Sequence, residues 1–368
     1  MGEPLKDIYT LEFLSGFGEK VRAVQDGFDV EGFTAAVMAW PWETLPLKAR
    51  MGRIAKILGQ FLPDDFDRAL EVLFSIDESC TGFPYLFFPE FVVIYGQAKE
   101  HWHLSMNALE RFTQRSSSEF AIRPFLLREP QRVMERMMHW TKHSNEHVRR
   151  FSSEGCRPRL PWGIALPMFK RDPSLVLALL EHLKADPSLY VRKSVANNLN
   201  DIAKDNSGAV LSTARRWIGV NPDTDWILRQ GCRTLIRKAN PEAMALFGYA
   251  GVSKDKPLFK DASLSVQPAE LKIGESCKLE YTLNLSGNDP VHIRLEYGID
   301  FVKSSGKQSR KLFLLTDKTV PGGTCLAGKR VHSFADLTTR RHYPGVHRIV
   351  LLINGLEAAQ TTLHVTGG

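Results

Sequence analysis

The stretch Val148-Arg149-Arg150-Phe151-Ser152-Ser153-Glu154-Gly155-Cys156-Arg157-Pro158-Arg159-Leu160-Pro161-Trp162 sets one carboxylate among arginines and ends on a tryptophan. A surface built only to grip phosphate has little use for a glutamate at its centre. Chemistry on a cationic, aromatic group attached to a polyanion wants all three elements: a carboxylate, arginines and an indole. Glu154 has Arg150 at i−4 and Arg157 at i+3, so the alternative is a plain surface ion pair that adds little stability. Trp162, between Pro161 and Gly163, fits either a core tryptophan or a loop indole free to stack on a base or sugar.

Two more acids are candidates. Asp201 shares a helical face with Ser194 and Asn198, away from the apolar stripe Val191, Val195, Leu199 and Ile202. It is either part of a polar site or a surface acid near a helix end. Glu119 follows Ser116-Ser117-Ser118, and Ser116 with Glu119 matches an S-x-x-E capping box. A glutamate at a helix amino terminus is in any case held ionised by the helix dipole.

Other chemistries are poorly supported. His143-Ser144-Asn145-Glu146-His147 matches H-x-x-E-H, a zinc signature of some metalloproteases, and His139 extends the row. That site needs one continuous helix, whereas Ser144-Asn145 aligns with Pro187-Ser188, a turn and helix cap. His101-Trp102-His103 is too close-spaced to hold a metal well, so no metal is expected. No Walker loop, G-x-G-x-x-G or G-x-S-x-G is present, which removes most nucleotide-dependent and acyl-transfer readings.

The elements that must position these residues change character near residue 257. Before it, apolar residues recur at helical spacing, and Val148-Arg149-Arg150, Val191-Arg192-Lys193 and Ile227-Leu228-Arg229 repeat about forty residues apart. Such periods predict HEAT-like helix pairs stacked into a solenoid. Arg229, Arg233 and Arg237 fall at i, i+4 and i+8, a basic row that an anion would neutralise. After residue 257, short alternating segments such as Cys277–Leu283, Val291–Tyr297 and Thr361–Val365 are separated by turns. They predict an all-β immunoglobulin-like sandwich. The expected domains are therefore 1–256, helical, and 257–368, all-β, joined by a linker over Val252–Pro257.

Bulk properties agree. A chain of 368 residues is long enough for two domains, and 43% hydrophobic residues is an ordinary globular content. A net charge of +7 favours a polyanionic partner. Cys80, Cys156, Cys232, Cys277 and Cys325 contain no C-x-x-C pair and read as reduced thiols; only Cys277 and Cys325 are candidates to pair across a sandwich. The start, Met1–Asp7, lacks the apolar core of a signal peptide, and no apolar run is long enough to span a membrane. The expected compartment is a bacterial-type cytosol, in association with the nucleoid.

The repeat architecture, Ser118-Glu119-Phe120-Ala121-Ile122-Arg123-Pro124-Phe125, the Arg150–Trp162 motif and Val191–Asp201 together resemble the AlkC branch of the HEAT-like-repeat alkylpurine DNA glycosylases. The likeness covers about residues 1–255, and some members of the branch carry a C-terminal immunoglobulin-like domain. The resemblance implies excision of cationic methylated bases, chiefly 3-methyladenine and 3-methylcytosine, from duplex DNA. It implies no metal, no cofactor and no deep base-flipping pocket. Carried over residue by residue, Glu119, Glu154 and Asp201 form an acidic cluster facing the lesion's deoxyribose, and Trp162 packs on the damaged nucleotide.

Physical reasoning from the residues reaches the same chemistry. N3-methylation charges the base and weakens its glycosidic bond, so no strong general acid is needed. Departure of the base builds positive charge on the sugar, as in glycosidases. Carboxylates beside that sugar stabilise the transition state more than the ground state. They also repel the DNA backbone, so Arg157, Arg159, Arg192, Lys193, Arg229 and Arg233 are the expected phosphate contacts. In the sandwich, Lys303–Lys311 is a basic loop that either helps close around the duplex or is a solvated hairpin tip. A monomer is expected, as for a solenoid that wraps its ligand. The main rival reading is a non-catalytic HEAT scaffold that binds nucleic acid or an acidic protein; it gives no reason for three acids in a basic surface. A metalloprotease is the third.

Overall fold

The computed structural model describes residues 5–251, 257–338 and 340–367. The expected linker therefore lies outside the described residues except for Pro257, as does the start of the chain through Pro4. Among the described residues no helix is long and apolar enough to cross a membrane. The chain divides into two compact units, Met1–Gly231 and Cys232–Gly368.

The first unit is helical throughout, a HEAT-like solenoid. Its C-terminal half repeats as predicted. The helices Glu146–Gly155, Leu189–Ile202 and Pro222–Gly231 pack side by side as one ladder, with Pro130–Trp140, Ser174–Glu181 and Ser207–Trp217 forming the second layer. Sequence chemistry sets the boundaries. The Asn145 side chain accepts from His147 N at 2.8 Å and opens the first ladder helix. Gly155 ends it ahead of Arg157-Pro158, where proline cannot continue a helix. Val191, Val195, Leu199 and Ile202 are all buried, as their spacing predicts.

An arginine at the same place in two successive repeats staples the ladder. Arg149 donates to the carbonyls of His143 and Ser144 and to Asp186 of the following repeat, with Nε at 2.7 Å from Oδ2. Arg192, at the same place one repeat later, donates to the carbonyls of Asp186 and Pro187, both at 2.8 Å, and pairs with Asp223 at 3.2 Å. The third copy carries Leu228 there, and the staple stops.

The second unit opens with two short helices, Arg233–Arg237 and Pro241–Leu246, before eight strands. These are β1 (Phe259–Gln267), β2 (Glu270–Lys272), β3 (Ser276–Leu285), β4 (Val291–Val302), β5 (Gln308–Val320), β6 (Cys325–Ser333), β7 (Gly345–Ile353) and β8 (Leu356–Thr366). They form sheets ordered β1-β3-β6 and β2-β8-β7-β4-β5. All pairings are antiparallel except β2 with β8. The alternation predicted for β3 holds: Cys277, Leu279, Leu283 and Leu285 point into the core. Cys277 lies opposite His332 and Cys325 opposite Asn284, at the two ends of one strand pair in the same sheet. They do not face each other across the sandwich, and all five cysteines are free thiols. The basic loop is the β4–β5 hairpin tip, closed by Lys303 N on Lys307 O at 2.9 Å, and its Arg310 is taken by Asp300.

Candidate active site

Glu154 sits near the end of the first ladder helix and Asp201 near the end of the second; both are buried. The polar face of Leu189–Ile202 is not solvated. It packs on Glu146–Gly155, and Ser194, Asn198 and Asp201 are as buried as the apolar stripe. Buried polar atoms need partners, and the Ser194 hydroxyl and the Asn198 amide nitrogen find them across the helix pair. Ser194 Oγ donates to Glu154 Oε2 at 2.6 Å, and Asn198 Nδ2 to Ser153 O at 2.8 Å.

Arg157 joins the two acids. Its Nη1 donates to Glu154 Oε1 at 2.6 Å and its Nε to Asp201 Oδ2 at 2.8 Å, with Lys204 Nζ on the other Asp201 oxygen at 2.9 Å. Burial would pull this guanidinium down, but Glu154 and then Asp201 more than offset it, so Arg157 is held above its ordinary value. Where a phosphate contact is expected, Arg157 is buried and engaged by two carboxylates. Arg192 is likewise spent on repeat stapling. The reason is the same in both cases: a guanidinium's planar fork suits paired carboxylate and carbonyl acceptors at close range.

Glu119 comes from the turn before the helix Ile122–Arg128, and it does not form the expected capping box. Ala121 is the cap residue, and no side chain caps it. Glu119 Oε2 instead accepts from Ser117 Oγ and from Arg150 Nη1, both at 2.5 Å. Arg150 also reaches Glu154 Oε1 at 3.6 Å and lies over the Tyr190 ring at 4.7 Å. Glu119 and Glu154 thus hang from one arginine, while Asp201 connects through another. Among the described residues no donor meets Glu119 Oε1.

The two glutamates and Arg157 border a cleft of about 450 Å³ whose apolar walls include Phe83, Leu86, Phe120, Leu160 and Trp162. Asp201 does not border it and stands behind Arg157. Trp162 is a loop residue, 60% exposed, with φ +62, a conformation that a bulky L-residue rarely holds. Apolar walls beside carboxylates lower the local dielectric and strengthen their hold on a cation. The arrangement can therefore take a flat ring against aromatic side chains and place two carboxylates at its cationic edge.

The remaining candidates separate. Arg159 is on the surface, paired with Asp205 at 2.6 Å, and Lys193 is exposed. Arg229 lies in the last turn of Pro222–Gly231 and Arg233 begins the next helix, so Cys232 interrupts the expected basic row. His143 lies before the helix that carries Glu146 and His147, as the repeat alignment predicts, and its Nδ1 accepts from Asn145 N at 3.0 Å. Among the described residues no group of histidine, cysteine or acid side chains could hold a metal. Sequence reasoning names Arg150 and Ser194 only as neighbours of the acids and misses Phe83 and Lys48. Arg150 had a signal in its i−4 spacing to Glu154. Lys48, which donates to Trp162 O at 2.8 Å from 114 residues away, had none.

Residues 260–367 match the family described as "Uncharacterised protein YhaZ, C-terminal Ig-like domain". The chain is 43% identical over 351 residues to the uncharacterized protein YhaZ of Bacillus subtilis (strain 168), covering 95% of this chain and 96% of that protein. Among solved structures it is similar to Pseudomonas fluorescens alkylpurine DNA glycosylase AlkC bound to DNA containing an abasic site analog. The identity is 38% and the TM-score 0.92, over 99% of this chain and 100% of that one. Two independent whole-length likenesses thus meet the repeat helices and sandwich described above, and the chain belongs to the AlkC branch of the HEAT-like-repeat alkylpurine DNA glycosylases, with its C-terminal immunoglobulin-like domain.

Proposed function

We propose that this protein is a monofunctional DNA N-glycosylase that hydrolyses the glycosidic bond of cationic alkylated bases, 3-methyladenine and 3-methylcytosine, in duplex DNA. The observation that carries the reading is the pair Glu119 and Glu154 on the rim of an aromatic-walled cleft, each clamped by an arginine. The similar AlkC structure, of matching length, is bound to DNA, which supports DNA as the partner.

In this reading the cleft is a surface depression that receives the lesion without eversion of the base. Trp162 packs against the damaged nucleotide, and Glu119 and Glu154 face its deoxyribose. As the base leaves, the sugar turns cationic, and negative charge already in place needs no reorganisation to stabilise it. Glu119 Oε1 is the oxygen with room to orient and deprotonate the attacking water, an effect worth roughly 10²–10⁴ in rate. Asp201 acts from behind by turning Arg157 toward Glu154. Bound positive charge offsets the acids until DNA arrives, so the site does not repel the backbone. Arg159, Lys193, Arg229 and Arg233 are the phosphate contacts of this reading. The surface pair Arg159–Asp205 is weak enough to exchange for phosphate. No step calls on a metal or cofactor. The protein works as a monomer in a bacterial-type cytosol.

The test is direct. Alkylated duplex DNA incubated with the protein should release free 3-methyladenine and leave abasic sites. Tight DNA binding with no base released would favour the scaffold reading instead.

A further inference from the structure

Arg123 is fully buried, and among the described residues it belongs to no ion pair. Burial pulls its guanidinium down to about 10. Its Nε donates to Ile164 O at 2.5 Å and its Nη1 to Gly155 O at 2.9 Å, while Nη2 has no partner. A buried cation with an idle donor is an expensive way to fill space, since an apolar side chain of similar volume is often as stable or better. The two hydrogen bonds must therefore supply something that packing does not.

The carbonyls it joins belong to the two pieces of chain that carry the cleft. Gly155 follows Glu154 directly, at the end of that helix. Ile164 is two residues past Trp162. The intervening turn is held by Gly163 N on Leu160 O at 3.0 Å and Leu166 N on Pro158 O at 3.2 Å. Glycines let both strands of this loop close on the arginine's own helix. A Cβ at Gly155 would stand 2.7 Å from Ile122 Cγ2, and one at Gly163 would stand 3.2 Å from Arg123 Nε and 3.0 Å from Leu160 Cδ2. Between these anchors Trp162 keeps its left-handed backbone, a strained conformation that persists only when its surroundings dictate it. Lys48 on Trp162 O is the third tie.

We propose that Arg123 is a positioning residue whose buried guanidinium fixes the carboxylate of Glu154 and the indole of Trp162 at one separation. It touches neither the lesion nor the DNA; it makes one rigid unit of a helix end and a loop that the chain alone would leave independent. The kinetic consequence rests on the glycosylase reading, whereas the geometric one does not.

The experiment uses the full chain with Arg123→Met, Arg123→Lys and Gly163→Ala, the last leaving the arginine in place. Four quantities are read: thermal melting, affinity for a duplex with an abasic-site analogue, single-turnover release of 3-methyladenine, and acrylamide quenching of Trp162. The last is taken as the difference between each protein and its Trp162→Phe counterpart. Expected for Arg123→Met is a folded protein with retained DNA affinity, altered Trp162 quenching and release slowed on the order of 100-fold. Arg123→Lys should recover part of the rate, because an ammonium can reach one of the two carbonyls. Gly163→Ala should move quenching and rate in the same direction by less. If Arg123→Met does not fold, Gly163→Ala decides. Unchanged quenching and rate in a folded variant overturns the proposal, and so does lost rate with quenching unmoved. Should the unmutated protein release no base, the functional reading falls while quenching alone still decides the role of Arg123.

Discussion

In the sandwich, Arg294 donates to Glu296 at 2.7 Å and to Asp317 at 3.0 Å, and Tyr249 and His292 also donate to Asp317 at 2.9 to 3.1 Å. In the helical unit, Arg157 and Arg150 grip Glu154 and Glu119 with the same chemistry and similar distances. The difference is in what is left over. Both oxygens of Asp317 are taken, whereas Glu119 keeps one oxygen free of donors among the described residues, and both glutamates border a cleft. A closed ion cluster is structure, because its charges are spent on each other. An open one stores negative charge for a visitor. Residue type alone did not separate the two; the unspent lone pairs and the cleft beside them did.

Breaking the open cluster should have the largest effect on turnover. Glu119→Gln keeps the shape and the Ser117 and Arg150 contacts but removes the charge and the water-orienting oxygen. Release of 3-methyladenine should fall about 10³-fold, within the range of lost base and electrostatic catalysis, while the melting temperature stays near that of the unmutated protein. A loss below tenfold would place Glu119 outside the chemistry.

The closed cluster should behave in reverse. Asp317→Asn leaves Arg294 short of a charged partner and should cost about 2–3 kcal/mol of stability, read as a lower melting midpoint of the sandwich. The release rate per folded molecule should not change. A rate effect larger than the folded fraction explains would mean the closed cluster also serves catalysis.

A third buried group sharpens the contrast, because burial disfavours charge on its own histidines. His332, His342 and His347 pack around Phe301 and Phe334. Burial lowers all three, His332 to about 4, with Arg340, His342 and Lys311 adding to it. A histidine depressed in the folded state binds its proton more readily when unfolded. Its cost is absent above about pH 6.5 and grows as pH falls toward 4. His332 alone should remove up to about 3 kcal/mol across that window. Denaturant melts of the full chain should show the sandwich weakening between pH 6.5 and 4, and His332→Phe should flatten the curve. Equal pH slopes in both proteins would remove His332 as the cause.

Much of this was legible in the sequence. The repeat phase around Val148 and Val191, the stripe Val191–Ile202 and the alternation of β3 follow from local periodicity, which a single sequence displays well. Glu154 stands out as a carboxylate among arginines, whereas Glu119 and Asp201 join it in one acidic cluster only through the family resemblance. Their partners were not legible. Arg157 reads as a phosphate contact until Asp201, 44 residues on, is seen to take its Nε. The Ser116–Glu119 capping pattern was overridden by Arg150 from another helix, and the Arg229–Arg233–Arg237 row by a turn at Cys232. Arg123 and Lys48 act through backbone carbonyls distant in sequence, and no motif records that.

The central claim is tested most directly by Glu154→Gln, assayed on the same preparation for 3-methyladenine release from alkylated duplex and for low-salt binding to a duplex with an abasic-site analogue. The account predicts release reduced to the limit of detection with binding nearly intact, since the amide keeps the shape while Arg157 and Arg150 keep their positive charge. Turnover that survives the substitution would contradict it and leave Glu154 a structural residue.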